Sequence, residues 1–185
     1  NFILKDKDYE LANTFWPGPL TLILEKKINS MISPLLSNNK NLVGCRIPNN
    51  EISLTLLSII DFPIAAPSAN IATRTSVTSI KDLDYKLKEI FYIDGGSSVL
   101  GLESTVIKTT KNGCKILRLG SLTIEDIKIK FPKYEISIDQ SDVSPGNQLK
   151  HYSPIKPIRI NVSFVKKNET LLNFGIHELK LVIKI

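Results

Sequence analysis

The feature of this 185-residue sequence that most constrains its fold is a β-hairpin set within an alternation of helices and strands. Asn112 and Gly113 lie between two runs rich in β-branched residues, 105–109 and 114–119. Asn-Gly between such runs is the strongest short-range indication of a hairpin. Because a hairpin makes two strands antiparallel, the pattern favours an α/β (α+β) fold with a twisted mixed sheet and flanking helices over a purely parallel sheet.

Apolar spacing and capping residues predict the other elements. Asn50 and Ser79 are placed to cap helices, and Glu125 and Asp126 suit the first turn of another. The predicted helices are 6–15, 50–60, 79–90 and 122–131, with a short one at 28–36 that Pro34 opens or breaks. The predicted strands outside the hairpin are 20–24, 42–47, 64–66, 91–93 and 158–160.

The pattern predicts one main domain and a short C-terminal piece. Residues 1–140 form the domain, the Pro-rich stretch 141–157 is a linker, and 158–185 is too short to bury a sizeable core. The sequence begins with Asn1 inside a helix-like segment, and its only methionine is Met31. We therefore expect the protein to be incomplete at the N-terminus and its last domain to be truncated.

Composition indicates an intracellular, cytoplasmic protein with no membrane association. No apolar run approaches the roughly 18 residues of a membrane span, and no signal peptide is visible. Cys45 and Cys114 lie in strand-like runs without metal-ligand spacing, so we expect buried free thiols. The net charge of +6 permits contact with RNA, but no Arg-rich tract indicates a dedicated site.

The stretch Pro67-Ser68-Ala69-Asn70 follows a predicted buried strand. Ligands in α/β proteins collect beyond strand ends, and small hydroxyl and amide side chains allow close approach to a phosphate or carboxylate. Ser and Asn also favour turns for local reasons, so a capped turn is the alternative.

Arg46 and Arg118 end predicted strands, and Ser104 follows the glycine-bearing loop 94–101. Each arginine taken alone is more often a surface residue. Together, guanidinium groups and serine hydroxyls at strand ends suit an anionic ligand, and an arginine fork fits a carboxylate.

The sequence offers no nucleophile–base pair, no metal motif and no Walker-type glycine loop. His151 and Tyr152 lie in the predicted linker, where they are either exposed or part of a lid that folds over the site. Any catalysis would depend on positioning and charge stabilisation.

Several blocks, in this order, resemble the threonylcarbamoyl-AMP synthases, which have the YrdC-like fold. The blocks are Phe15-Trp16-Pro17-Gly18-Pro19-Leu20-Thr21, Gly44-Cys45-Arg46-Ile47-Pro48, Ala66-Pro67-Ser68-Ala69-Asn70, Asp94-Gly95-Gly96, Glu103-Ser104-Thr105-Val106 and Ile116-Leu117-Arg118-Leu119-Gly120. The motifs Ser144-Pro145-Gly146 and His151-Tyr152-Ser153-Pro154 resemble the linker of the two-domain members.

The resemblance implies a nucleotidyltransferase. It would join L-threonine, bicarbonate or CO2, and ATP with Mg²⁺ into threonylcarbamoyl-AMP and release pyrophosphate. A downstream tRNA threonylcarbamoyltransferase machinery would use the product to form N6-threonylcarbamoyladenosine at position 37 of tRNA.

The resemblance also implies roles for individual residues. Arg46 would hold the threonine carboxylate, and Ala66 and Ser104 would line the amino-acid pocket. The residues implied for ATP are Ser68, Asn70, Ser76, Arg118, His151 and Tyr152, none of them a catalytic group or a metal ligand.

Two departures from the family pattern affect this implication. The Lys-x-Arg element of the family belongs to an N-terminal stretch that this sequence does not contain, and the region after Asn70 lacks the usual Ser-Gly pair before Ser76. We therefore expect little or no synthase activity from this chain alone. A non-catalytic nucleotide- or RNA-binding module and an inactive gene remnant stay as alternatives.

Overall fold

A computed structural model of the chain describes residues 1–37, 40–71, 74–84, 87, 91–139 and 156–172. By its internal contacts the chain divides into two units, Asn1–Ser153 and Pro154–Ile185. The predicted linker, 141–157, lies almost wholly outside the described residues.

Six strands of the described residues form one mixed sheet in the first unit. Its order is β1-β2-β4-β5-β6, and β3 pairs with β2. β2 pairs antiparallel with β1 and β3 and parallel with β4, while β5 pairs antiparallel with β4 and parallel with β6. The strands are β1 (Phe2–Ile3), β2 (Leu20–Lys26), β3 (Leu42–Cys45), β4 (Thr105–Thr109), β5 (Gly113–Arg118) and β6 (Glu135–Ile138). This mixed sheet confirms the predicted fold class.

Helices α1 (Asp6–Phe15) and α3 (Ile124–Lys130) cover one face of the sheet. Leu20, Leu22 and Leu24 alternate along β2 and are buried against them. Leu11 and Ala12 of α1 and Ile127 of α3 complete this core, together with Leu122 and with Ile107, Cys114 and Ile116 of the hairpin strands. The alternation along β2 thus fixes which face is buried.

The predicted helix ends are confirmed where side chains cap them. α1 ends at Phe15, and Trp16 is already extended before Pro17. Asn50 caps α2 (Glu51–Ile59) by accepting from the Ser53 amide, and Thr123 and Asp126 form a capping box on α3. Such caps satisfy amide groups that the first helical turn leaves without partners.

Several other predictions are wrong. Segments 64–66 and 91–93 are not strands; Ile64 and Ile93 are exposed, and no described backbone pairs with either segment. An apolar run becomes a strand only where a neighbouring strand and a packing layer are available. β3 likewise ends at Cys45, before Ile47.

Two predicted helices are much shorter than expected. The segment 28–36 contains only the 3₁₀ turn Pro34–Ser37, because Ile28, Met31 and Leu35 are exposed and bury no apolar face. Ser79 does cap a helix, but it is the 3₁₀ turn Ile80–Asp82, which ends at an extended Leu83. The predicted remainder to Ile90 lies largely outside the described residues.

The described part of the second unit, 156–172, contains no helix or strand. The strand predicted at 158–160 is wrong because Ile158 and Ile160 are exposed and have no partner strand there. Within the segment 156–172, Arg159 forms an ion pair with Glu169. The Arg159 guanidinium also lies over the ring of Phe164.

Both cysteines are free, as predicted. Burial raises the pKa of the Cys45 thiol to about 12 and that of Cys114 to about 11, so both stay protonated near neutral pH. Neither thiol therefore offers a thiolate nucleophile. No helix of the described residues has the length and apolar character needed to cross a membrane.

Candidate active site

The face of the sheet opposite the helices, here called the site face, carries the candidate residues at one end. Thr21 pairs with Val106 between the buried pairs Leu20–Thr105 and Leu22–Ile107, so Thr21 and Val106 point to the site face. Val106 also pairs with Arg118 across the hairpin, which places the arginine on the same face.

A register shift explains the direction of Arg118. Ile107 pairs with Ile116 and Val106 with Arg118, so Leu117 is an extra residue in β5. Strict alternation from Ile116 would have aimed position 118 at the helix-covered face. Bulges of this kind re-aim side chains and are frequent beside active sites.

Ser104 contacts side chains of both β2 and β5 at this end of the sheet. Its side-chain Oγ lies 2.8 Å from Oγ1 of Thr21 and 3.1 Å from Nη2 of Arg118. Its carbonyl oxygen also accepts from Nε and Nη2 of Arg118, at 3.1 and 2.9 Å. The guanidinium is thereby held in one orientation by its own hairpin.

Glu103 links this hairpin to the segment that carries Ser76. Its Oε1 accepts a hydrogen bond from the Ser76 hydroxyl, and its Oε2 lies 3.5 Å from Nη2 of Arg118. Arg46, Ser76, Glu103, Ser104 and Arg118 are here called the arginine site.

Arg46 follows β3 directly, after Cys45, which pairs with Leu22 next to Thr21. Thr21 in turn contacts Ser104, so Arg46 lies at the same end of the sheet. Partial desolvation lowers its pKa, the carboxylate of Glu103 raises it, and the positive charge of Arg118 lowers it. The residue stays exposed, and an arginine remains charged at any physiological pH. Among the described residues its guanidinium has no hydrogen-bond or ion-pair partner.

The backbone around Arg46 is fixed by the turn that precedes β2. The Gly18 amide donates to the carbonyl of Ile47 at 2.8 Å. A Cβ at Gly18 would lie 2.3 Å from the Phe15 carbonyl oxygen, so only glycine fits this turn without a shift. The segment Trp16-Pro17-Gly18 therefore holds the end of β3 against the start of β2.

Contacts of Thr105 and Gly120 hold the backbone next to the arginine site in place. The buried Thr105 hydroxyl donates to the Leu122 carbonyl at 2.6 Å and accepts from the amides of Gly120 and Leu122 at 3.0 and 3.2 Å. A Cβ at Gly120 would lie 2.2 Å from the carbonyl oxygen of Glu103. The turn after β5 is therefore packed directly on the backbone that presents Ser104.

The stretch 66–70 is separate from this group. Ala66 and Ser68 are exposed, and within the described residues no hydrogen bond or ion pair ties them to the arginine site. The Asn70 amide donates to the carbonyls of Ile71 and Arg74, which is the local turn anticipated as an alternative. Its Oδ1 is buried and has no hydrogen-bond partner among the described residues.

A cleft of about 180 Å³ lies next to this stretch. Its lining includes Ala69, the backbone of Asp94, Gly95 and Gly96, and the segment Val77–Ser79 that follows Ser76. Asn50 donates to the Gly95 carbonyl at 3.2 Å, and the positive φ of Gly96 (82°) suits glycine. The cleft is not lined by Arg46, Ser104 or Arg118. A single ligand that occupied both the cleft and the arginine site would therefore have to extend past residues 76–79.

Of the predicted site residues, the structure brings together Arg46, Ser76, Ser104 and Arg118. His151 and Tyr152 lie outside the described residues. Sequence reasoning gave no role in the site to Thr21, Glu103 or Asn50, and predicted Asn50 only as a helix cap. Thr21 could have been found by alternation, because it lies between two leucines on β2, whereas the bridging position of Glu103 depends on tertiary contacts.

Comparison with known proteins gives a consistent picture. A family model named for the Sua5, YciO and YrdC proteins and described as "Telomere recombination" matches residues 2–120. Threonylcarbamoyl-AMP synthase of Pyrococcus abyssi is 39% identical over 153 residues, 78% of this chain and 44% of that protein. Threonylcarbamoyl-AMP synthase of Bacillus subtilis is 35% identical over 164 residues, 84% of this chain and 46% of that protein.

A solved structure shows the same fold. The crystal structure of P. abyssi Sua5 complexed with L-threonine matches with a TM-score of 0.67 and 36% identity. The match covers 82% of this chain and 46% of that one. The chain thus spans about half the length of the curated relatives it matches.

Proposed function

Because the chain belongs to the Sua5/YciO/YrdC family, we propose that it contributes to the synthesis of threonylcarbamoyl-AMP. The substrates would be L-threonine, bicarbonate or CO2, and ATP, and the second product would be pyrophosphate. The observation that carries the proposal is the arginine site: Arg46, whose guanidinium has no partner among the described residues, follows the strand that pairs with β2 at Leu22, and Ser104 holds Arg118 in place at the same end of the sheet.

Arg46 is the group best suited to the threonine carboxylate. A guanidinium binds a carboxylate through two parallel hydrogen bonds, and Arg46 has no described partner that would compete. The L-threonine bound in the archaeal crystal structure supports an amino-acid ligand for this fold. Ser104 would line the amino-acid pocket from the end of the sheet. Ala66 is assigned to the same pocket on the family resemblance alone, because no described contact ties it to the arginine site.

Arg118 and Ser76 would face the triphosphate. Arg118 and Ser76 both contact the carboxylate of Glu103. Ser68 and Asn70 lie in a stretch whose Ala69 lines the neighbouring cleft. We assign them to ATP as well, together with His151 and Tyr152, for which the family resemblance is the support.

The chemistry would need orientation more than an acid or base. The threonine ammonium group first loses a proton to solvent. The resulting amine attacks the carbon of CO2 and loses a second proton, or attacks bicarbonate with release of water, and either route gives a carbamate. A carbamate oxygen then attacks the α-phosphorus of ATP, and the bond to the pyrophosphate oxygen breaks. Fixed cations such as Arg118 stabilise the charge that develops on the phosphoryl oxygens. Holding the reactants in contact removes much of the entropic barrier.

Mg²⁺ would enter with ATP. Within the described residues, no group of three or more His, Cys, Asp or Glu could hold a metal ion. The triphosphate oxygens would therefore supply the main ligands, and the ion would neutralise part of their charge.

The remaining partners follow from the product. A tRNA threonylcarbamoyltransferase machinery would consume threonylcarbamoyl-AMP, and the net charge of +6 is compatible with contact to tRNA. A cytoplasmic location is part of the same proposal.

Titration calorimetry with L-threonine tests the amino-acid site. Arg46→Ala should weaken threonine binding about tenfold or more, as expected for loss of a charged hydrogen bond, and affect an ATP analogue less. Arg159→Ala is the matched control, because the contacts of Arg159 lie within residues 159–169. Equal loss of both ligands would remove the carboxylate role of Arg46.

Turnover separates the alternatives. Pyrophosphate release that requires both threonine and bicarbonate would demonstrate synthase activity of this chain. Nucleotide or RNA binding without any threonine binding would instead favour a non-catalytic module.

A further inference from the structure

Glu103 is an acidic side chain in a site whose other side chains are guanidinium and hydroxyl groups. One carboxylate oxygen accepts from Ser76, and the other lies 3.5 Å from Arg118. The Glu103 side chain keeps 30% of its surface exposed, so it also faces space that a ligand can enter.

The carboxylate has unused hydrogen-bonding capacity. An ionised carboxylate offers about four acceptor positions, and the described contacts of Glu103 use two. The 3.5 Å separation from Arg118 is longer than the roughly 2.7–2.9 Å of a strong charge-assisted bond. The ion pair with Arg118 therefore leaves the carboxylate able to accept from a further donor.

The position of Glu103 relative to Arg46 suggests which donor this is. Arg46 follows Cys45, whose partner Leu22 is next to Thr21, and Thr21 contacts Ser104, the neighbour of Glu103. A guanidinium without a partner among the described residues therefore lies near a partly free carboxylate, and their charges interact. An α-amino acid at neutral pH carries the complementary pair, a carboxylate and an ammonium group on one carbon. A simple carboxylic acid would engage the guanidinium alone.

We propose that Glu103 accepts a hydrogen bond from the α-ammonium group of the amino-acid substrate while Arg46 binds its carboxylate. The assignment rests on the proposed function and adds to it the residue that would recognise the amino group of the substrate. Glu103 is thus a binding residue that distinguishes the substrate by its amino group.

A pair of ligands tests this assignment by calorimetry. 3-Hydroxybutanoate keeps the carboxylate and hydroxyl groups of threonine but lacks the amino group. The unmodified protein should bind L-threonine about tenfold or more tightly than 3-hydroxybutanoate, the usual effect of one charged hydrogen bond. Glu103→Gln, which keeps the size of the side chain and an acceptor for Ser76, should lose most of this preference.

Glu135→Gln is the matched control, because Glu135 contacts Asn112 at the far end of the hairpin. It should keep the preference for L-threonine. Retention of the full preference by Glu103→Gln would overturn the assignment. Equal affinities of the unmodified protein for the two ligands would overturn it as well, even if Glu103→Gln did not fold. Failure of the unmodified protein to bind either ligand would instead reject the proposed function, and the role of Glu103 with it.

Discussion

At the residue scale, the buried hydroxyl of Thr105 does more for the site than its position in a strand suggests. Thr105 is fully buried, and its hydroxyl forms hydrogen bonds with one carbonyl and two amides of the turn after β5. Thr105→Val removes the hydroxyl and these hydrogen bonds, while the volume of the side chain stays nearly constant. We expect the free energy of unfolding to fall by about 1–3 kcal/mol, since buried amides would be left without partners.

Urea denaturation measures this loss, and Thr105→Ser should restore most of it because the hydroxyl returns. Thr55→Val is the control: its hydroxyl bonds the Glu51 carbonyl on an exposed helix surface. That change should stay within about 0.5 kcal/mol. Similar losses for Thr55→Val and Thr105→Val would mean that the turn does not depend on the buried hydroxyl.

Single residues also mark the limit of what the sequence reveals about the site. Arg46, Ser104 and Arg118 could be selected as candidates because they stand at predicted strand ends. The orientation of Arg118 could not be anticipated, since it depends on the register shift between β4 and β5. Glu103 received no role because its two partners come from a distant loop and from the opposite strand.

At the element scale, α2 depends on its cap more than the other helices do. None of its residues is buried, so packing contributes little to its stability. Asn50 accepts from the amide and hydroxyl of Ser53 at 3.0 and 3.1 Å, and its Nδ2 donates to Gly95. One side chain thus joins the start of α2 to the glycine loop.

Two substitutions separate these functions of Asn50. Asn50→Ala should destabilise α2 by about 1 kcal/mol and also release the loop. Asn50→Asp keeps the capping oxygen but loses the donor to Gly95, so only the loop should be released. Hydrogen exchange at the amides of Ser53 and Gly96 measures the two effects. Equal exchange at Ser53 in both variants would show that the cap contributes nothing to α2.

The capping box of α3 should make that helix sensitive to acid. Hydrogen bonds from the Thr123 hydroxyl and amide hold the pKa of Asp126 below its usual 3.8. A carboxyl whose pKa is lower in the folded state stabilises that state fully above its unfolded pKa. This stabilisation is lost as the pH falls through 3.8 to the lower folded value.

Asp126→Asn tests this pH dependence. The difference in unfolding free energy between the unmodified protein and Asp126→Asn should be constant above about pH 5 and shrink below pH 4. Glu125→Gln removes a charge from the same first turn without removing the bonds to Thr123, so it is the control. A difference that stays constant to pH 2 would show that the box does not depend on ionised Asp126.

Elements were predictable where their determinants are local. α1, α3 and the hairpin were correctly predicted because caps, stop residues and Asn112-Gly113 lie within the segments themselves. Segments 64–66 and 91–93 were wrongly predicted as strands because pairing requires a partner elsewhere in the chain. The mixed sheet followed from the hairpin, whereas the parallel pairing of β2 with β4 joins residues more than eighty positions apart.

At the scale of the whole molecule, the net positive charge and the basic side chains on the site face together should affect the association of anionic ligands. The formal net charge is +6, and the register places Lys108 and Lys115 on the same face of the sheet as Arg118. Lys115 forms an ion pair with Asp139 at 3.0 Å. A positive surface raises the association rate of an anion, and salt removes the effect because the Debye length is only about 8 Å at physiological ionic strength. ATP is strongly anionic, whereas threonine has no net charge at neutral pH.

The association rate of an ATP analogue should therefore fall severalfold as sodium chloride rises from about 50 to about 300 mM, and that of threonine should change far less. Stopped-flow measurements give both rates.

Lys108→Gln removes one charge from the site face, and Lys128→Gln removes one from α3, which packs on the other face. If the local field steers the nucleotide, only Lys108→Gln should weaken the salt dependence for the ATP analogue. Identical behaviour of the two variants would assign the effect to net charge alone, and a rate independent of salt would exclude electrostatic steering.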